Sequence, residues 1–288
     1  MATVQIIEDI NSDKKYYETA TSDYYKLLET KGDIEPLIQD FLEKNPSFVP
    51  GAYSMSGESG HSPLHMALIA TPSITGLFDR VPDFMWLAKD SLTFNPVLIE
   101  IEAPGKRMFR KNGSPTGEFT AARNQITEWK SILQMPENKL MFYNDFSIPT
   151  SWRKLKFEPH YVLIYGRRSE YEESTILTQK RSNVMGLNEY IISFDRLESH
   201  PKCFNAITCN VKNGEYFAKY FSPIFKYNHA IANDWREIKN KDRALDNSAY
   251  MTDARKRFLT MKINSPQTVV SSSDKITLPT RRLNMNWE

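Results

Sequence analysis

The chain has 288 residues, of which 40% are hydrophobic and 25% are charged, a composition typical of a globular protein with a real core. Its two cysteines, Cys203 and Cys209, are too few for a disulfide framework and lack the neighbouring ligands of a metal site, so we predict two reduced thiols. No apolar run is long enough to cross a bilayer, and the N-terminus lacks a secretory signal, which predicts a cytoplasmic protein without a membrane partner.

The net charge of +2 hides an uneven distribution of charge along the chain. Residues 1–103 carry 7 Lys and Arg against 16 Asp and Glu, a net of −9. Residues 104–181 carry 14 against 8, a net of +6, and residues 182–288 carry 16 against 11, a net of +5. A basic segment that follows an acidic one is consistent with a polyanionic partner, although many solvated surfaces show the same pattern.

The periodicity of apolar residues predicts alternating helices and strands. Residues 1–27, which are polar and rich in tyrosine, are predicted to form an arm or a small pair of strands. The helical period of IEPLIQDFLEK ends at Asn45-Pro46, and YVLIY is a continuous apolar strand of the kind buried on both faces. The remaining predicted elements are strands at 66–74, 84–87, 97–101 and 190–194, and helices at 118–133, at 172–184 and in a polar segment from about residue 230.

This alternation predicts an α/β fold, with a sheet flanked by helices. We divide the chain into an N-terminal arm at 1–30, a central domain at 31–228, and a helical extension with a polar, serine-rich tail at 229–288. No internal repeat is visible in the sequence.

The most informative stretch is Glu100-Ile101-Glu102, at the end of the apolar run Pro96–Ile99. Side chains alternate along a strand, so Glu100 and Glu102 lie on one face and Ile101 on the other. Two carboxylates at the end of a buried strand raise each other's pKa or require a cation. The sequence therefore predicts either a solvated strand end or a bound positive charge.

Asp83 starts the preceding strand, 17 residues before Glu100, and in a hairpin of neighbouring strands these carboxylates converge. Carboxylate oxygens are the ligands that Mg²⁺ prefers, so we predict a site for Mg²⁺ or Mn²⁺ formed by Asp83, Glu100 and Glu102, with the backbone carbonyl of Ile101. The alternative is that Asp83 caps a turn and the two glutamates lie on a wet edge.

From Ile34 to about Leu197 the chain resembles the Shedu family of bacterial antiphage nucleases, of the PD-(D/E)xK superfamily. The resemblance rests on six pieces in order, which are IEPLIQDFLEKNP, Pro82-Asp83-Phe84, Glu100-Ile101-Glu102-Ala103-Pro104, RNQITEWK, YVLIYGRRSEY and ISFDRLES. It implies a restriction-endonuclease-like mixed sheet, hydrolysis of double-stranded phage DNA by a metal-dependent endonuclease or nickase, and a homo-oligomer, either a dimer or a tetramer.

The chain departs from the family at one position, because the motif's lysine is replaced by Glu102. A glutamate supplies no positive charge, but it can act as a base or a ligand, and we expect Lys106 to lend its ammonium from the following loop. The resemblance also implies catalytic Gln125 and Glu35 as the holder of a metal-bound water. If the site is degenerate, the chain is a non-catalytic module that senses or binds DNA.

Basic residues around this motif are candidates for DNA binding. A flexible loop carrying several of them is predicted to clamp phosphates beside the pocket, although a solvated loop has the same composition. His61 and His65 are interpreted as structural or solvent-facing. The predicted DNA-binding residues are Lys106, Arg107, Arg110, Lys111, Arg123, Lys130, Arg167 and Arg168.

Overall fold

The computed structural model describes residues 2–55, 57, 59–76, 80–172, 174–226 and 234–264. These residues form a mixed sheet of nine strands, in the order β6-β5-β3-β2-β1-β7-β8-β9, with β4 paired to β3. The strands are β1 (Ala67–Ala70), β2 (Phe84–Lys89), β3 (Thr93–Ile101), β4 (Lys156–Phe157), β5 (His160–Ile164), β6 (Glu189–Ile192), β7 (Ile207–Lys212), β8 (Glu215–Phe221) and β9 (Ile238–Lys239).

Helices cover both faces of this sheet, as the fully buried strands require. The helices are α1 (Ala2–Lys31), α2 (Glu35–Lys44), α3 (Gly117–Gln134), α4 (Pro136–Asp145), α5 (Thr150–Arg153), α6 (Thr175–Asn183), α7 (Lys241–Asn247) and α8 (Asp253–Asn264). None of the helices within the described residues is long and apolar enough to span a membrane.

Alternation along β3 divides the core into two layers. Leu98 packs with α3 and α4, whereas Val97, Ile99 and Ile101 pack on the other face with α1 and α2. The α3 layer is anchored by one helical stripe, Phe119, Ala122, Ile126, Trp129 and Leu133, as its spacing predicts.

The N-terminal segment forms α1 rather than the predicted strand pair. Tyr16, Ala20, Tyr24 and Leu28 recur every four residues and are buried on one face. The Tyr24 hydroxyl donates a hydrogen bond of 2.9 Å to the carbonyl of Phe194. This tyrosine-rich pattern has a helical period, and α1 belongs to the packed layer instead of extending from it as an arm.

Most other predicted elements are present with small shifts of their ends. The strand predicted at 66–74 is confined to β1, because the chain leaves the sheet at Thr71, which has a positive φ of 47°. The strand β9 and helix α7 follow residue 233 and pack on β8, so the sheet continues into the predicted helical extension. The predicted boundary at 228/229 and the polar tail from residue 265 lie outside the described residues.

Candidate active site

The register of the sheet brings Asp83 and Glu100 together at one edge. In the antiparallel pair of β2 and β3, Phe84 lies opposite Ile99, so the next position places Asp83 opposite Glu100. Both side chains then lie on the α3 side of the sheet, since Phe84 and Ile99 lie on the other.

Asp83 is fixed by a hydrogen bond across the two strands. The backbone N–H of Ile101 donates to Oδ2 of Asp83 at 2.8 Å. Phe84 pairs with Ile99, so continuing the same register by two residues places Pro82 opposite Ile101. Proline has no N–H to donate. This ladder position therefore supplies no donor to the carbonyl of Ile101, and its binding of a cation stays a prediction.

Glu100 is the most unusual group at this edge. Its Oε2 is buried and has no hydrogen-bond partner among the described residues. Burial raises the pKa of Glu100, and the neighbouring charge of Asp83 raises it further. Burial also raises the pKa of Asp83, with additional contributions from Glu35 and Glu102, although the Ile101 N–H opposes the shift. These two adjacent carboxyl groups hold protons at a pH at which exposed carboxyl groups are ionised.

Lys106 provides the positive charge that position 102 lacks. Its ammonium donates a hydrogen bond to Oε2 of Glu102 and lies 3.8 Å from Oε2 of Glu35. Burial alone would lower the pKa of Lys106, but the hydrogen bond and charge of Glu102 outweigh it and raise that pKa. The pKa of Glu35 is raised, mainly by burial and then by Glu102. Glu35, the first residue of α2, and Glu102 therefore lie around the single ammonium group of Lys106.

The other catalytic candidate lies apart from these groups. Gln125 is exposed on α3, away from the stripe that packs on the sheet. No hydrogen bond links its side chain to the carboxylates of the described site, so its role stays a prediction.

Six of the predicted DNA-binding residues take part in ion pairs with the protein itself, and four of them lie outside the segment that starts at Lys106. Lys130 lies 2.5 Å and Arg123 3.7 Å from the carboxylate of Glu189, at the start of the edge strand β6. Arg167 pairs with Asp195 at 2.8 Å, and Arg168 lies 3.9 Å from Glu172. These contacts give the four residues a structural explanation, and their binding of DNA stays a prediction.

The basic loop after Lys106 is an ordered hairpin. Phe109 and Pro115 form an antiparallel bridge, and the backbone N–H of Arg110 donates a hydrogen bond of 2.8 Å to the carbonyl of Ser114. Arg110 and Lys111 are exposed at its tip, whereas Arg107 lies near its base, 3.9 Å from Glu170. The loop was predicted to be flexible from its composition. Hydrogen bonds from distant residues hold it in place, and a local sequence pattern does not show such bonds.

Sequence reasoning missed the side chains that frame the site from α3 and β5. Tyr165 is fully buried, and Thr116 caps α3 by accepting from the N–H of Phe119 at 3.2 Å. Glu118, in the first turn of α3, acts electrostatically on Lys106 and Tyr165. The sequence signal for this turn was Thr116 two residues before Glu118, a helix start beside the motif.

The two histidines do not contribute to the site. Nε2 of His61 lies 3.4 Å from the hydroxyl of Ser91, and the ring of His65 packs edge-on against Tyr216 at 4.9 Å. His65 therefore packs within the protein and His61 lies in an exposed contact, in line with the interpretation of the pair as structural or solvent-facing. Cys203 and Cys209 are free and buried.

The predicted set of Asp83, Glu100 and Glu102 does not form a site of three metal-binding side chains. Within the described residues no three His, Cys, Asp or Glu side chains stand close enough to hold a metal ion together. Mg²⁺ takes only one or two carboxylates and completes its shell with waters and substrate oxygens. Asp83 and Glu100, with its unpartnered oxygen, are the two carboxylates that could hold such an ion, whereas Glu102 is engaged by Lys106.

Comparison with known proteins places this arrangement in a family. Residues 33–197 match the family described as Shedu protein SduA, C-terminal, which covers more than half of the chain. The chain belongs to the Shedu family. The matched region of this Shedu protein contains Glu35, Asp83, Glu100 and Lys106, and therefore the whole acidic site. No curated protein matches the chain. Shedu membership indicates a role in antiphage defence.

Proposed function

We propose that this Shedu protein is an endonuclease or nickase that hydrolyses phosphodiester bonds of double-stranded phage DNA and requires Mg²⁺ or Mn²⁺. The observation that supports it best is Oε2 of Glu100, which is buried without a partner beside a second acid. Proteins rarely bury such an oxygen unless a ligand compensates for the lost water. The arrangement agrees with the PD-(D/E)xK chemistry that the sequence resembles.

Asp83, Glu100 and the carbonyl of Ile101 would hold the cation, which when bound stabilises charge on the phosphorus oxygens. The side chain of Asp83 is kept in place by the Ile101 N–H, so it is pre-positioned for this role. Glu102, which is turned toward Lys106, would accept a proton from the attacking water as the water oxygen bonds to phosphorus. The bond from phosphorus to the sugar oxygen then breaks, and the leaving oxygen takes a proton from solvent. Lys106 balances the charges of Glu102 and Glu35, which replaces the electrostatic contribution of the missing lysine.

A plasmid assay tests this function. Supercoiled DNA is incubated with the protein and Mg²⁺ or Mn²⁺, with and without a chelator. We expect metal-dependent nicked or linear product from the wild type and none from Glu100→Gln. Glu137→Gln is the matched control, because Glu137 is exposed on α4, away from the site. Cleavage in the presence of chelator would contradict the metal requirement.

The second candidate is a non-catalytic module that senses DNA. The observation in its favour is that Glu102 replaces the motif's lysine and that its carboxylate is occupied by Lys106. DNA binding without cleavage under any divalent metal would support this candidate over the first. A homo-oligomer, a dimer or tetramer, is part of either proposal, because two-fold symmetry would present two sites to the two strands.

A further inference from the structure

The segment after the acidic site forms a short, tight β-hairpin, which comprises residues 108–116. The N–H of Thr116 donates to the carbonyl of Met108 at 2.9 Å. The N–H of Arg110 donates to the carbonyl of Ser114 at 2.8 Å. The turn closes with a bond of 2.8 Å from the N–H of Gly113 to the carbonyl of Arg110. Gly113 has a φ of 76°, the left-handed conformation that ends a three-residue hairpin loop and favours glycine.

Three contacts from other parts of the chain hold this hairpin in place. The Glu170 carboxylate accepts from the backbone N–H groups of Met108 and Phe109, both at 2.9 Å, and these two side chains are buried. The ammonium of Lys180 donates to the carbonyl of Gly113 at 2.7 Å. The backbone of the hairpin is therefore fixed at its base and close to its tip, so it presents its exposed side chains from a defined position.

The hairpin presents positive charge to solvent. The Arg107 side chain is 60% exposed, and Arg110 and Lys111 are exposed and form no ion pair with any described residue. Arg110 and Lys111, which have no acidic partner among the described residues and stand on a fixed backbone, suit a polyanion because little backbone order has to be gained on binding. The chain reaches this hairpin directly from Lys106, which contacts Glu102, so the polyanion would pass beside the acidic site.

We infer that this hairpin enters the major groove of duplex DNA beside the bond that is cleaved. This inference rests on the proposed function and specifies how the site receives its substrate. Two paired strands lie about 4.8 Å apart and their side chains widen the ribbon further. A ribbon of this width fits the major groove, which is about 12 Å wide, and not the minor groove, which is about 6 Å wide. At the tip, Arg110 and Lys111 are residue types that recognise guanine edges in that groove.

Groove-selective probes test the inference. Binding of the full chain is measured by fluorescence anisotropy with chelator present, so that no cleavage occurs. One duplex is unmodified, a second carries glucosylated hydroxymethyl groups at cytosine C5, which fill the major groove, and a third is AT-rich and saturated with netropsin, which fills the minor groove. We expect affinity for the second duplex to fall by roughly tenfold or more, and affinity for the third to stay near that for the same duplex without netropsin.

Variants connect the effect to the hairpin. We expect Lys111→Gln and Arg110→Gln each to reduce the dependence of log affinity on log salt by about 1 and to reduce the discrimination against the modified duplex. The matched control is Lys154→Gln, an exposed lysine just before β4, which pairs with Thr93 at the opposite end of β3. This control should behave as the wild type.

The outcomes separate this inference from the proposed function. Equal affinity for the unmodified and C5-modified duplexes, or inhibition by netropsin instead, would overturn the major-groove placement while leaving DNA binding intact. A wild type that binds no duplex even at low salt would remove both the inference and the DNA-directed function. If Lys154→Gln also loses the preference for the unmodified duplex over the C5-modified duplex, the hairpin is not the source of that preference.

Discussion

Glu100→Gln should change how stability depends on pH and on divalent metal. The raised pKa values of Asp83 and Glu100 mean that the folded protein holds protons that the unfolded chain releases above about pH 4, the ordinary range of carboxyl groups. Where the folded state binds more protons, the free energy of unfolding falls as pH rises, and it keeps falling until the raised pKa values are passed. The wild type without metal should therefore lose stability from pH 6 to pH 9.

The size of these stability changes can be estimated from Asp83 and Glu100. Glutamine keeps the shape of Glu100 but never ionises, so it removes the raised pKa of Glu100 and with it that residue's share of the pH dependence. Each unit of raised pKa that is relieved is worth about 1.4 kcal/mol. A cation at 100 times its Kd should stabilise the wild type by about 2.7 kcal/mol. For a chain of this size, 1 kcal/mol corresponds to roughly 2–4 °C in Tm, so the metal shift should be roughly 5–10 °C.

The assay is thermal unfolding followed by circular dichroism, in buffers from pH 6 to pH 9, with chelator or with Mg²⁺ or Mn²⁺. We expect the wild-type Tm to rise with metal, most at high pH, and we expect Glu100→Gln to show a flatter pH profile and no metal shift. Glu137→Gln should retain both wild-type responses. A wild-type Tm that does not respond to either metal at any pH would refute a cation site at this pair.

Three further outcomes follow from other parts of the structure. Glu102→Gln should reduce plasmid cleavage by about 10²–10⁴-fold, as expected when a positioned acid–base group is lost, while DNA affinity in a gel-shift titration stays the same or rises. Reversing the charges of Lys106, Arg110 and Lys111 together should weaken binding to all sequences alike and flatten its salt dependence in filter-binding titrations. Trp129→Ala, at a site only 1% exposed, should cost about 3–5 kcal/mol in urea unfolding.

The fold was predictable where a local period dominates. The stripe of α3 and the continuous apolar run of β5 require a helix and a doubly covered strand, and both are present. The hairpin of β7 and β8 was not predicted, although Asn213-Gly214 at its turn is a known hairpin signal. Its strands alternate apolar and polar residues only in part, so their period alone does not distinguish them from a loop.

The N-terminal segment shows a different limit of sequence reasoning. Its mean polarity suggested an arm, yet Tyr16 and Tyr24 bury their rings and satisfy their hydroxyl groups with Asn45 and the Phe194 carbonyl. Tyrosine is an apolar body with one polar end, so counting it as polar underestimates the surface that it can bury. Contacts that span 170 residues, such as that of Tyr24, have no local signature.

The sequence predicted which acidic residues of the candidate site lie together, but it did not predict which basic residue pairs with them. Alternation and hairpin spacing place Asp83 beside Glu100, and the register agrees. The contact of Lys106 with both Glu102 and Glu35 depends on how the loop turns after Pro104 and on where α2 begins, which spacing does not determine. The same holds for Arg123 and Lys130, whose charge suggested DNA but whose partner is Glu189.

Glu102 replaces the motif's lysine, but the site still contains a positive charge, which Lys106 supplies from the following loop. A lysine at position 102 would place its ammonium next to Glu100, whereas Lys106 places its ammonium on the far side of Glu102, between that residue and Glu35. The carboxylate of Glu102 is thereby held by the ammonium two residues along the chain from Glu100, and a base for the attacking water is required close to the cation. If Glu102→Gln cleaves plasmid at the wild-type rate while Glu100→Gln is inactive, Glu102 only anchors Lys106, and the ammonium becomes the group that orients the water. If both variants and the wild type bind DNA without cutting it, the displaced lysine no longer supports catalysis, and the acidic pair serves a protein that recognises DNA without hydrolysing it.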